Sequence, residues 1–201
     1  MRVCWVSPNL NTLAGALSAP HVKMPSGNQT FTEWARDREM LDSFVGERGR
    51  RLRIEALASQ NLVVGNRALA EELADRVEVC AVSKGELLIS QGAGDNDIYF
   101  ILSGSFDVIV NGHTVAVLGP TEHVGEMAAV QPAQKRSASV VATDNAIVAR
   151  LSEEAFTDLG NRYPQMFRVI AQELARRLLQ SNALVWQPNT SEGVEPGSRA
   201  A

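Results

Sequence analysis

Residues 125–137 read GEMAAVQPAQKRS and place Glu126 and Arg136 at the two ends of a short, apolar, Ala-rich loop. Gly125 allows a sharp turn and a close approach of backbone to a ligand. Glu126, Met127 and Ala128 begin a helical turn whose free N–H groups converge on one spot and suit an anion. Arg136, arriving from the far side, adds a forked cation matched to phosphate, and Ser137 adds a hydroxyl. A carboxylate beside such a cluster is wrong for phosphate alone. It is right for a sugar hydroxyl, which donates to it. A sugar hydroxyl next to a phosphate is a ribose phosphate, and a small, tight turn favours a compact, cyclic one. Taken singly, Glu126 reads as a turn acid, Arg136 as a surface cation and Ser137 as a strand end. Their joint spacing argues for a site.

Two distant ends of a loop need a rigid frame. From Val77 onward the pattern supplies one. VEVCAV alternates, SKGE turns, LLISQG runs extended, and residues 92–97 form a Gly- and Asp-rich loop. IYFILSG and SFDVIV follow, then Asn111-Gly112 and HTVAVLG. Asn-Gly between alternating strands is a strong hairpin signal, because both residues tolerate positive φ. SASVVA and AIVARL add two more strands. Short strands with glycine turns predict an antiparallel β-roll or barrel of jelly-roll type.

Helical patterns flank the roll. Residues 1–29 read as a flexible arm, and 30–76 as a helical region. Its first helix starts at Thr30, where Glu33 completes a capping box. A second helix runs from about Arg51 to Leu57 beyond the punctuating Gly46 and Gly49, and a third covers 65–76. After Leu151, SEEAFTDLGNRY is a short helix capped by Ser152. Pro164 then opens a long one, striped by Phe167, Ile170, Leu174, Leu178 and Val185. Residues 187–201 have the composition of a disordered tail. The fold class is α+β: a β-roll with N-terminal helices and two C-terminal helices, the roll and last helices spanning 77–186.

The stretches KGELLISQG, NDIYFILSG and GEMAAVQPAQKRSASV resemble the cyclic-nucleotide-binding domain family, which includes the bacterial catabolite activator, cAMP-dependent kinase regulatory subunits and nucleotide-gated channels. The resemblance runs from about Val77 to Leu184. It implies that Glu126 takes the ribose 2′-hydroxyl and Arg136 the cyclic phosphate. Ser137 and the amides of Met127 and Ala128 also contact the phosphate. Val108, Val115 and Ala116 fall where the family lines its base pocket. VNGHTVAVLGPTEHVGEM, RSASVVA and LLQSNALVWQPN further resemble the sensor half of bacterial anti-phage effectors that respond to cyclic pyrimidine nucleotides. In those, cUMP or cCMP binding switches on a TIR-like domain that destroys NAD. The chain stops where that domain would begin, which implies either a sensor without an effector or one whose effector was removed.

Composition bears on the alternatives. The chain has 201 residues, 45% hydrophobic and 21% charged, with a net charge of −4. That suits a globular core and is no signature of a nucleic-acid binder. The basic run Arg48, Arg50, Arg51, Arg53 is interleaved with Glu47 and Glu55 and reads as a solvated helix face. Two cysteines, Cys4 and Cys80, make neither a disulfide framework nor a metal site and fit a reducing cytoplasm. No segment is long and apolar enough to span a bilayer, so no membrane partner is expected. His21, His113 and His123 are scattered without metal spacing, against a phosphodiesterase or a cupin enzyme. A transcription regulator would need a helix-turn-helix after the long helix. The expectation is a non-enzymatic cytoplasmic sensor of a cyclic mononucleotide, cUMP or cCMP favoured and cAMP or cGMP open. It needs no cofactor and forms a homodimer through the long helix. A cAMP-type regulatory subunit or a transcription-regulator sensor lacking its DNA-binding part is the alternative.

Overall fold

The structure is a computed structural model and describes residues 4–5, 41–44, 46–131 and 133–185. The capping-box helix start at Thr30 and the tail beyond 187 lie outside the described residues; Leu41–Ser43 are helical.

The roll consists of two sheets whose strands alternate in which side they bury. One sheet has the order β1-β2-β9-β4-β7, with β1 Cys4–Trp5, β2 Glu78–Val82, β4 Ile98–Ser103, β7 His123–Val124 and β9 Ala146–Leu151. The other has the order β3-β8-β5-β6, with β3 Leu87–Ile89, β5 Phe106–Val110, β6 His113–Leu118 and β8 Ser139–Ala142. Every pairing is antiparallel except that of β1 with β2. Two residues of the expected flexible arm, Cys4 and Trp5, therefore extend the first sheet beside Cys80 and Ala81. Asn111 (φ 51°) and Gly112 (φ 83°) close the β5–β6 hairpin with both residues at positive φ, the conformation their types allow.

Strand β4 is buried and largely apolar from Ile98 to Ile101 because it is covered on both sides. Ile98 and Phe100 join a core with the helices, while Tyr99 and Ile101 face the second sheet. Strand β9 divides likewise, Ala149 and Leu151 toward the helices and Ala146 and Val148 between the sheets. A sheet covered on one side only would show polar residues at alternate positions.

The helices form a layer under the first sheet. α1 is Gly46–Ala58, α2 is Arg67–Arg76, α4 is Glu153–Arg162 and α5 is Gln165–Val185; a short α3, Glu126–Val130, lies in the loop after β7. Helix α1 starts earlier than the sequence suggests and runs through Gly49 without a break. A Cβ at Gly49 would lie 2.2 Å from the Phe44 carbonyl carbon, so glycine here is a close approach, not a stop. The adjoining Arg53 departs from the solvated-face reading. It is buried, donating from Nε to the Ala74 carbonyl at 3.2 Å and from Nη1 to the Phe44 carbonyl. Arg50 stays at the surface in a two-bond pair with Asp75, 2.7 Å for each bond, while Arg48 and Arg51 are exposed. The Gln60 side chain donates to the Ile101 carbonyl at 3.1 Å and ties the end of α1 to β4.

Helix α4 is capped as its sequence predicts, with Ser152 Oγ accepting from the Ala155 amide at 3.3 Å. It meets α5 where Phe156 packs edge-on against Phe167, and Gly160 faces that ring so closely that a Cβ would come within 2.3 Å. The apolar stripe of α5 changes role along its length. Ile170 is buried and Leu174 half-buried against the core, whereas Leu178 and Leu179 are 62% and 71% exposed. No described helix is long and apolar enough to cross a membrane.

Candidate ligand-binding site

The loop singled out in the sequence forms one wall of a cavity. Gly125 is left-handed at φ 93° and caps α3 without a side-chain hydrogen bond. A Cβ there would stand 2.5 Å from the Asp97 carbonyl oxygen and 2.7 Å from Arg136 Nη1. Only glycine fits this corner. It lets β7 turn directly into α3, and Glu126 and Arg136 line the same cavity.

Both charged groups are buried, each about 4% exposed. Arg136 is clipped in place by its backbone, which donates to Ala93 O at 2.9 Å and accepts from Gly92 N at 2.8 Å. Its guanidinium donates to three neighbours: Gly125 O (3.2 Å), Asp97 O (2.8 Å) and the Asp95 carboxylate, the last from both Nε (3.1 Å) and Nη2. Asp97 is itself steadied by Arg150, whose Nη1 lies 3.2 Å from its carboxylate. Burial pushes the nearby Tyr99 phenol up to about 12, with Asp97 and Asp95 adding to the rise, so it stays neutral and adds no charge to this acidic corner. A carboxylate thus occupies the forked face of Arg136, where an anionic ligand group would sit. Asp95 lies in the Gly-Asp loop, which by sequence is only a connector. Its position opposite Arg136 depends on how that loop folds back.

Glu126 accepts from Arg177 Nη1 at 2.9 Å, which leaves its second oxygen for another donor. Arg177 comes from α5 and also bonds Glu173 one turn earlier. Arg177 thus ties the middle of α5 to the loop that carries Glu126.

The cavity is small, with a volume of about 70 Å³. Val108, Met127 and Ser137 line it with Gly125, Glu126 and Arg136, and so do His123 and Arg177. Ser137 Oγ donates weakly to Met127 Sδ at 3.6 Å. Ala128 belongs to α3, and its side chain lies outside the described residues. The other expected base-pocket residues are not drawn in. Val115 is 59% exposed and Ala116 is exposed at the register position opposite Val108; neither is among the described residues lining the cavity. The physical reason is their strand, since β6 is the outer strand of its sheet and nothing described packs over it. His123, in the sequence only a histidine without metal spacing, lines the cavity and is 1% exposed.

Comparison with known proteins agrees with this geometry. Residues 79–163 match the model of the cyclic nucleotide-binding domain. The chain is 47% identical over 146 residues to the Pycsar effector protein BcPycTIR of Burkholderia cepacia, covering 73% of this chain and 48% of that protein. It is 39% identical over 156 residues to PaPycTIR of Pseudomonas aeruginosa, covering 78% and 51%. The chain therefore spans about half the length of the curated relatives it matches. Among solved structures, the catabolite activator protein of Thermus thermophilus superposes with a TM-score of 0.57 at 26% identity, covering 63% of this chain and 62% of that one. The regulatory domain of Toxoplasma gondii PKA with cAMP shares the fold, with a TM-score of 0.58 at 19% identity over 69% of this chain and 56% of that one. Gly125, Glu126 and Arg136 all lie within the matched stretch, and the chain belongs to the cyclic-nucleotide-binding domain family, with a domain of the kind that Pycsar effectors carry.

Proposed function

We propose that the chain binds a 3′,5′-cyclic mononucleotide, cUMP or cCMP by preference, and passes that signal to an effector in anti-phage defence. The observation that carries this reading is that a buried carboxylate, Glu126, and a buried guanidinium, Arg136, line one cavity otherwise walled largely by apolar side chains. Arg136 takes the cyclic phosphate in place of Asp95. Glu126 accepts from the ribose 2′-hydroxyl, and the amides of Met127 and Ala128 and the Ser137 hydroxyl complete the phosphate shell. Val108 lies against the base. The pyrimidine preference rests on the likeness to the Pycsar effectors. A TIR-like partner is the effector their names suggest; the sensor itself does no chemistry. Calorimetric titration with cUMP, cCMP, cAMP and cGMP tests the reading, and failure to bind any of the four would end it.

The ribose contact has its own signature. The 2′-deoxy form of the preferred nucleotide should bind wild type more weakly by about 1 kcal/mol, the net worth of one hydrogen bond. In Glu126→Ala that penalty should shrink, because the acceptor has gone. Equal discrimination by both proteins in the same titration would remove Glu126 from the ribose.

Assembly is the second part of the proposal. Leu178 and Leu179 leave the outer end of α5 apolar and exposed, which supports a homodimer across this helix. The ligand then shifts the helix only by binding one arrangement better. Multi-angle light scattering at micromolar concentration should give a dimer, with and without nucleotide. A monomer under both conditions would refute it.

A further inference from the structure

His123 lies in the cavity wall, 1% exposed, and neither ring nitrogen has a hydrogen-bond partner among the described residues. A buried polar group left this way destabilises the fold unless something else compensates. The Phe100 ring of β4, 6.4 Å from the imidazole between centroids, brings no charge. Glu122, the next residue back, points elsewhere, accepting from the Gly119 amide at 2.9 Å. The complementary group is Glu173 on α5, whose Oε2 is 3.7 Å from His123 Nε2. That is ion-pair range, slightly too long for a hydrogen bond.

Glu173 is shared. Its Oε1 is held by Arg177, and Arg177 in turn holds Glu126. A row of four side chains therefore runs from His123 on β7 through Glu173 and Arg177 on α5 back to Glu126 on α3. Its two ends stand on either side of Gly125. With His123 neutral, the row together with Arg136 and Asp95 carries one net negative charge. A cyclic monophosphate adds another in the same small space. A proton on His123 offsets one of them and gives Glu173 a charge-assisted partner on its second oxygen.

We propose that His123 is a positioning residue of the binding site, taking up a solvent proton as an anionic nucleotide enters and then pairing with Glu173. The pair fixes Glu173, which holds Arg177 on Glu126 and so sets the acceptor that the ribose meets. The proposal rests on the cavity being the cyclic-nucleotide site. Linkage is reciprocal: a ligand that draws a proton to His123 binds more tightly where the proton is plentiful.

Calorimetry of the full chain with cUMP and cCMP, between about pH 5.5 and about pH 8, reads this directly, since histidines change charge across that range. Wild type should bind about five- to tenfold more tightly at the acid end. His123→Phe, with its melting temperature checked, should bind with no such slope. A wild-type affinity independent of pH, or an undiminished slope in His123→Phe, overturns the proposal. Absence of binding to either nucleotide at any pH overturns the cavity reading and this proposal with it. The Glu173 link is read apart from any ligand by following the His123 ring protons by NMR against pH. In Glu173→Gln the midpoint should fall, because the stabilising carboxylate is gone; an unchanged midpoint refutes the pair.

Discussion

Arg136→Leu should bind its cyclic nucleotide roughly tenfold to more than a hundredfold more weakly, the loss of charge-assisted hydrogen bonds worth ~1.5–3 kcal/mol. The reason lies in what the guanidinium already does. Two of its contacts are carbonyls, Gly125 O and Asp97 O, that fix its orientation, and one is the Asp95 carboxylate, which a phosphate can replace. A ligand therefore meets a cation that is held in place before it arrives, so little ordering cost is left to binding. Leucine fills part of the space but donates nothing, and Asp95, about half exposed, then faces the phosphate as an uncompensated like charge. Stability should change less than affinity, because water can reach the freed Asp95. Arg136→Lys should fall between the two, keeping the charge while losing the fork. Titration calorimetry with cUMP and cCMP measures all three proteins. Wild-type affinity in Arg136→Leu would separate the arginine from the ligand.

Gly125→Ala should be the most damaging small substitution in the site, because two independent costs coincide. The backbone at φ 93° disfavours any side chain by about 1–2 kcal/mol. The new methyl would also stand 2.5 Å from the Asp97 carbonyl oxygen and 2.7 Å from Arg136 Nη1, an overpacking cost of about 1–3 kcal/mol. Neither neighbour is free to give way. Asp97 O lies immediately before β4 and accepts from Arg136, and moving Arg136 breaks the pocket. The expected outcome is a Tm lower by ~5 °C or more together with nucleotide affinity reduced at least as far as in Arg136→Leu. Gly112→Ala is the control: it has a similar φ, 83°, with open space around it, so it carries strain but no clash. If Gly125→Ala melts and binds like Gly112→Ala, the close approach at Gly125 does not matter.

The order of residues alone specifies the parts of this protein whose interactions are local. Most strands follow from short apolar runs between turn residues, and AIVARL is strand β9 end to end. The Asn111-Gly112 hairpin follows from two residue types that tolerate positive φ, and the cap of α4 from Ser152. The binding loop is legible for the same reason, since Gly125, Glu126, Arg136 and Ser137 lie within one short segment whose types demand a turn, an acceptor and a forked donor. What the sequence leaves open is the fate of side chains that meet across long separations. Arg53 reads as one more surface charge in a basic run, yet α2 and Phe44 close over it. Gly49 reads as a helix break, and becomes a contact only because Phe44 backs onto it. Asp95 reads as loop, His123 as a histidine without metal spacing, and Glu173 carries no signal at all. Tertiary packing sets the first on Arg136 and brings the other two together beneath the cavity. Backbone preference and short spacing are properties of neighbours in the chain. Burial of a charge is decided by whichever distant element covers it, and here those elements are the loop before β4 and the middle of α5.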